Sequence, residues 1–295
     1  MFDYGIDVEN LKQKIDGRSV ILSVSGGKDS TAMGLFLLDL GIPFRMVFLD
    51  TGWEHKLTYD YIKGPLTDKL GDIEIVKGPL PMADLILKKG MFPSRVTRFC
   101  TQELKVKPII KYLKGLEEEP INAVGIRAAE SMRRAKMPAW EWQKGYDCEV
   151  WRPILDWTLD QVIEIHKRHD IKPNPLYLLG ASRVGCWPCI YARKKEISFI
   201  SEKDPERIEK IRDLEAEVAE NARARYAEKG ETFESLGYKR PTFFQSRNGA
   251  GEWPIDKVVD WAKTAHGGKQ YELFSVDPDD TGCMRWGLCD NSDKP

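Results

Sequence analysis

Apolar residues fall in short runs separated by glycine-containing breaks and by stretches of helical period. Residues 19–24, SVILSV, form a β-branched run that ends in SGGKDS, after which TAMGLFLLDLG has the apolar density of a buried helix closed by Gly41. The predicted order is strand, glycine loop, helix. FRMVFLD at 44–50 reads as a second buried strand, KLTYDYIKGPL as a helix broken near Pro65, and IEIV at 73–76 as a third strand. MADLILKK and TQELKVKPIIKYLKGL continue the helical pattern before a fourth strand, INAVGIR at 121–127, and TLDQVIEIHKRH is a further helix. This alternation predicts an α/β fold, a parallel sheet with helices on both faces.

From Glu202 onward the pattern changes, and DPERIEKIRDLEAEVAENARARYAEKG places Ile208, Ile211, Leu214 and Val218 on one face of a long charged helix. Its expected role is support. Residues 231–295 are rich in Gly, Pro and aromatics, with one clear helix at IDKVVDWAKTA. A nucleotide-binding domain over 1–195 is therefore expected, followed over 196–295 by a small, mostly helical, cysteine-containing region that packs back on it. With 42% hydrophobic residues the 295-residue chain can build a sizeable core, and Lys+Arg 45 against Asp+Glu 46 demands neither nucleic acid nor membrane as partner. The N-terminal segment carries charges throughout, and no apolar run approaches the roughly 18 residues of a membrane span. A cytoplasmic protein is expected.

The glycine loop carries the first chemical signal. Gly26 and Gly27 let the backbone approach a ligand, while Ser23, Ser25, Lys28, Asp29 and Ser30 place hydroxyls and charge at a helix N-terminus. Such a site suits a phosphate chain. It is not the G-x-x-x-x-G-K-[ST] loop, because the lysine precedes an aspartate directly after the glycine pair. A lone glycine pair would serve a packed turn equally well, but the whole SGGKDS segment after a buried strand favours a nucleotide.

SGGKDS resembles the PP-loop of the Rossmann-like ATP pyrophosphatase (adenine nucleotide alpha hydrolase) superfamily. LDTGWE (49–54), RFCTQELKVKPI (98–109), VGIRAAESMRR (124–134), PILDWTLDQV (153–162) and NPLYLLGASRVGCWPCI (174–190) resemble its PAPS-reductase-like branch in the same order, over about residues 18–195. The resemblance implies that Ser23, Ser25, Gly26, Gly27, Lys28, Asp29 and Ser30 wrap the phosphates of ATP, with Asp50 close by. The rule that ligands sit at the carboxyl ends of parallel strands points to the same place. It further implies that Lys28, Asp50, Arg127 and Glu130, with Arg133 or Arg134, form the catalytic group around nucleotide and substrate. Arg98 and Lys105 are candidate anion ligands, or surface charges. The implied reaction is attack of a substrate oxygen on the α-phosphorus of ATP, with release of pyrophosphate and Mg2+ offsetting phosphate charge. Sulfonucleotide reductases of this branch have usually lost the Gly-Gly-Lys form of the loop, which argues here for ATP. Two readings stay open beside it: a thiol-dependent phosphoadenylyl or adenylyl sulfate reductase served by thioredoxin, and a nucleotide-binding accessory subunit without turnover.

Six cysteines in a chain of this kind read as free thiols, redox groups or metal ligands. Cys186 and Cys189 form C-W-P-C, and Cys283 and Cys289 form C-x5-C near the C-terminus, together four soft ligands for zinc or an iron-sulfur cluster. The resemblance tips this toward a [4Fe-4S] cluster, with Zn2+ as the alternative, because adenylyl-sulfate reductases and DNA-sulfur-modification relatives carry such clusters. Those reductases have a Cys-Cys pair where this chain has Phe99-Cys100, so Cys100 is a substitute ligand. A redox dithiol at C-W-P-C is the competing reading, and Cys148 is expected to be a small buried residue. The segment 133–153 interleaves basic residues with Trp140, Trp142, Tyr146 and Trp151, either as a stacking platform for nucleic acid or as core packing. The second substrate, a sulfur donor and a homodimer are left open.

Overall fold

The SVILSV run becomes an inner strand, β1 (Ser19–Val24), of a six-stranded sheet in a computed structural model that describes residues 4, 7–228, 230–232, 235, 241–245, 252–264 and 286. The other strands are β2 (Arg45–Asp50), β3 (Ile73–Lys77), β4 (Pro120–Val124), β5 (Trp140–Gln143) and β6 (Cys148–Trp151), and the spatial order is β3-β2-β1-β4-β6-β5. All pairings are parallel except β5 on β6, which is antiparallel. Alternation along β1 sends its side chains to opposite faces. Val20, Leu22 and Val24 join one apolar cluster, while Ile21 meets Val47, Ile109 and Leu113 in another.

The helices before the sheet's last strands are α1 (Val8–Ile15), α2 (Lys28–Asp39), α3 (Lys56–Tyr61), α4 (Thr67–Leu70), α5 (Met82–Lys89), α6 (Phe99–Thr101) and α7 (Lys107–Lys114). After them come α8 (Leu159–Arg168), α9 (Pro175–Leu178), α10 (Lys194–Lys203), α11 (Pro205–Ala227) and α12 (Ile255–Lys263). Helices α1, α2 and α8 share a cluster with one face of the sheet, and α7 covers the other. The α/β architecture with helices on both faces is thus observed. None of the described helices is long and apolar enough to cross a membrane.

Two local expectations are corrected. The helix does not break at Pro65, because residues Ile62–Leu66 widen into a π turn that joins α3 to α4 with Pro65 inside it. The wider turn accommodates a residue with no N–H, and the Thr67 hydroxyl donates to the Ile62 carbonyl at 2.7 Å. The aromatic-basic segment at 133–153 contains the hairpin β5–β6 and does not present its aromatics as a common platform. Trp140 stacks on buried Trp151 with centroids 4.9 Å apart, under the Lys14 ammonium at 3.8 Å, and Tyr146 packs toward Cys148. Of the four aromatics only Trp142 is exposed, at 57%.

The long charged helix forms as the apolar spacing predicts. Ile208, Ile211, Leu214 and Val218 of α11 pack in one cluster with Met82, Leu85 and Ile86 of α5 and with Ile255 and Val258 of α12. Inside this contact lies a buried carboxylate: Glu215 accepts from the Phe243 amide at 2.8 Å and the Ile255 amide at 3.0 Å. Replacing it by alanine strands two buried donors, so Glu215→Ala is expected to lower stability by about 3 kcal/mol, and Glu215→Gln by clearly less. Urea unfolding of both variants measures this. A loss in Glu215→Ala no larger than that of an ordinary surface substitution would show that the carboxylate does not hold these segments.

Candidate functional site

Strand β1 ends at Val24 and α2 begins at Lys28, so residues 25–27 must reverse the chain in three positions. Gly26 does so in the left-handed region, at φ +69°. Gly27 caps α2 without a side-chain bond, which leaves the first amides of the helix facing the sheet's carboxyl end. Ser30 folds back onto the loop, donating to the Gly27 carbonyl at 3.0 Å and accepting from the Ser25 amide at 3.2 Å. Two residues without an assigned role in the sequence complete the cradle: Asn174 donates to the Gly26 carbonyl at 3.1 Å, and the Tyr177 hydroxyl lies 3.3 Å from the Lys28 amide. The Asn-Pro start of α9 was the available signal, since Asn174 also caps that helix by accepting from the Leu176 amide.

Charge at the loop is organised around Asp29. Its carboxylate meets the Lys28 ammonium at 3.2 Å and the Arg127 guanidinium at 2.5 Å, with Arg127 only 6% exposed. Burial works against the charge on Lys28, but Tyr177 and Asp29 outweigh it and hold its pKa above the ordinary lysine value. The chain after β4 comes this close because residue 125 is glycine: a β-carbon there would lie 2.9 Å from Ser30 Cα. Glu130 accepts from the Arg127 amide at 2.9 Å and pairs with Arg134, and both Glu130 and Arg133 are exposed. The place of Glu130 is behind the arginine.

At the end of β2, Asp50 accepts from the Tyr59 hydroxyl at 2.7 Å and the Gly52 amide at 2.9 Å and pairs with Lys77 at 3.3 Å. Burial disfavours its charge, yet these partners together hold the carboxyl below the usual range. The same Tyr59 hydroxyl lies 3.0 Å from Glu54, a buried carboxylate that also accepts from the Thr51 hydroxyl at 2.7 Å. Glu54 pairs through its backbone with Cys186, Trp187 donates its amide to the Trp53 carbonyl at 2.9 Å, and Trp53 donates from Nε1 to the Pro188 carbonyl at 3.1 Å. The C-W-P-C loop is pinned to the loop after β2.

Burial pushes the Cys186 thiol up, against the opposing charge of Lys105. Lys105 lies beside Cys186, whose thiolate form would raise the lysine pKa most, with Glu54 and Cys189 raising it further against burial. Lys105 therefore belongs with the thiols and is not a surface charge. Cys100 joins them: burial raises its thiol, and the neighbouring Cys186 and Cys189 raise it further. Arg98 lies over the Tyr191 ring at 5.2 Å, and Cys148 is buried in β6 as expected. Among the described residues no three His, Cys, Asp or Glu side chains are arranged to hold a metal ion. Cys100, Cys186 and Cys189 lie near enough to influence one another electrostatically, without making a cage by themselves. Cys283 and Cys289 lie outside the described residues, but Trp286 between them is buried, with its ring 5.1 Å from His166 and 6.2 Å from Tyr177.

His166 was not singled out in the sequence. It is buried on α8, its Nδ1 is 2.7 Å from the Val162 carbonyl, and its Nε2 has no hydrogen-bond partner. Burial draws its pKa down from 6.5 to about 4. A histidine kept neutral in the fold contributes stability that is complete above pH 6.5 and is lost as the pH falls from there through 4, about 3 kcal/mol in all. Unfolding titrations of wild type and His166→Leu at pH 7 and pH 4 should differ by that amount in their pH dependence. Superimposable profiles would be the contrary result.

The chain is similar to a 37.8 kDa protein of Escherichia phage 186, at 34% identity over 92% of this chain and 96% of that one. It is 30% identical to protein MJ0973 of Methanocaldococcus jannaschii over 65% of this chain, and spans only 46% of that longer protein. An adenosine 5'-phosphosulfate reductase of Allochromatium vinosum is 27% identical over 59% of this chain and 69% of the reductase. A family model, the phosphoadenosine phosphosulfate reductase domain, matches residues 19–192, which includes the glycine loop, the Arg127 turn and the C-W-P-C segment. The chain belongs to the phosphoadenosine phosphosulfate reductase domain family.

Proposed function

We propose that the protein binds ATP at residues 23–30 and adenylates a second substrate with release of pyrophosphate. The observation that carries this reading is the Lys28–Asp29–Arg127 arrangement beside an intact Gly-Gly-Lys loop. One buried and one partly buried cation held on one carboxylate at a helix N-terminus suit a triphosphate, because each can add a contact to phosphate oxygens without reorganising. A substrate oxygen attacks the α-phosphorus, the bond from that phosphorus to the bridging oxygen breaks, and the electron pair leaves on pyrophosphate. Lys28 and Arg127 offset the charge that develops there. Asp50, kept ionised, is the residue that would hold Mg2+, whose contribution is to offset phosphate charge. Glu130 acts by fixing the Arg127 turn.

The sulfonucleotide-reductase reading is favoured by one specific feature, the packing of Cys100 and Cys186 against one cluster with Cys189 near enough to act on Cys100 electrostatically. Pyrophosphate release separates the readings: adenylation predicts release from ATP with a suitable second substrate such as tRNA, DNA or a small metabolite, whereas the reductase consumes adenylyl sulfate with thioredoxin. An accessory subunit would bind ATP and do neither. We also propose that Cys186 and Cys189 with Cys283 and Cys289, or with Cys100 in place of one of the last pair, hold a [4Fe-4S] cluster or Zn2+. Support comes from burial of Trp286, whose ring lies against Tyr177 in the segment that leads to Cys186.

Lys28→Ala should weaken ATP binding by about 2–3 kcal/mol through loss of a charged contact. Gly27→Val should weaken it as well, since a β-carbon at residue 27 would lie 3.3 Å from Ser25 Oγ and 3.4 Å from the Tyr177 hydroxyl. Calorimetry with Mg2+ measures both, and wild-type affinity in either cooperatively melting variant would remove the basis of the assignment. Protein purified without oxygen is expected to contain iron and sulfide, or zinc, and Cys283→Ser to contain less. A metal-free preparation whose thiols all react freely would instead leave these cysteines as a redox relay.

A further inference from the structure

Helix α11 carries two cations to the loop after β2 that neither the glycine loop nor the thiol cluster uses. Arg207 and Lys210 lie three residues apart, on one face of the helix. The Arg207 guanidinium is 4.9 Å and the Lys210 ammonium 5.3 Å from the centroid of Trp53, whose ring is completely buried and also stacks with Phe243. The guanidinium is fixed on one side, donating from Nη2 to the Glu54 carbonyl at 3.1 Å, while Nη1 is buried and has no partner. Of the neighbouring carboxylates, Asp204 and Glu54 favour the charge on Arg207 and Asp84 favours that on Lys210, but among the described residues none is hydrogen-bonded to either side chain. Asp204 accepts from Trp187 Nε1 at 2.9 Å and from the Arg207 amide at 3.2 Å, and Glu54 accepts from Thr51, Trp53 and Tyr59.

A buried guanidinium N–H without an acceptor costs free energy unless a ligand supplies one. Two cations on one aromatic ring also repel each other. Burial and Arg207 both pull Lys210 below the ordinary lysine value, as burial does for Arg207 itself. An anion would relieve both conditions at once, because a tetrahedral oxyanion can accept from the fixed guanidinium edge and from the exposed, adjustable ammonium together.

We infer that Arg207 and Lys210, held over Trp53, form a second oxyanion subsite that receives a phosphate or sulfate group. It lies beside Glu54, whose hydrogen-bond partner Tyr59 also serves Asp50, and whose backbone pairs with Cys186. The group belongs either to the second substrate or to pyrophosphate after it has left the glycine loop, so an intact ATP analogue does not occupy the subsite. The inference rests on the proposed ATP site only for what the group belongs to, since the subsite is built from other residues.

The test is calorimetric binding of inorganic sulfate, phosphate and pyrophosphate to the full chain, with and without a saturating non-hydrolysable ATP analogue. At least one anion is expected to bind with the analogue present, and Lys210→Met to weaken it about tenfold while leaving analogue affinity unchanged. Arg207→Met should weaken it further. Because Arg207 also packs on Trp53, Lys210→Met, whose side chain is exposed, keeps the test valid if the arginine variant fails to fold. Tighter sulfate assigns the subsite to the second substrate, and tighter pyrophosphate to the leaving group. No binding of any anion, complete competition by the analogue, or unchanged affinity in Lys210→Met would overturn it. Failure of the ATP reading appears separately, as absent binding of the analogue.

Discussion

The Asp29 carboxylate makes the rest of the candidate site physically tenable. Lys28 and Arg127 come from different ends of the sheet's wiring, one after β1 and the other after β4, and both are largely withdrawn from water. Two such cations would repel each other and lose hydration together. A shared counter-charge at 2.5 and 3.2 Å lets them coexist and leaves both beside the helix N-terminus where an anion is favoured. The backbone has to permit that approach, which is why a side chain at Gly125 would strike Ser30. Arg127 is then fixed from behind by Glu130, so the pair is oriented before any ligand arrives.

The second constraint is the buried Trp53. Its indole N–H holds the Pro188 carbonyl of the C-W-P-C loop, its ring packs on Phe243 of the C-terminal region, and Arg207 and Lys210 lie over it. Through this one ring the thiol loop, the loop after β2 and α11 are positioned against each other. Glu54 beside it is a buried carboxylate supplied with donors, and its bonds to Thr51 and Tyr59 carry the same rigidity back to Asp50. Helix α11 is thereby held between the loop after β2 and the apolar contact it makes with α5.

Local pattern was sufficient where one element's own residues decide its state. SVILSV cannot bury itself except as an inner strand, SGGKDS must turn tightly before a helix, and the spacing of Ile208, Ile211, Leu214 and Val218 marks one face of α11. The loop residues stood out for the same reason, whereas Asp50 and Arg127 became candidates only through the resemblance of LDTGWE and VGIRAAESMRR. The hairpin β5–β6 was not legible as strands: WEWQ and CEVW are short and mix charge with aromatics, and what fixes them is the pairing of Trp140 on Trp151 across the strands. Pro65 misled in the opposite sense, because a π turn absorbs it.

What the sequence by itself determined was the alternation of strand and helix, the glycine loop and the identity of the chemically capable side chains. Only the tertiary structure decided which of them meet. Lys105 lies with Cys186, Glu130 accepts from the Arg127 amide, and Asn174, Tyr177, His166 and Trp53 acquire their roles from neighbours more than a hundred residues away or in another layer. Periodicity reports the energy of burying one face of one segment. Ion pairing, burial of charge and aromatic stacking depend instead on distances between segments, and those are set only when the sheet order β3-β2-β1-β4-β6-β5 brings the strand ends together.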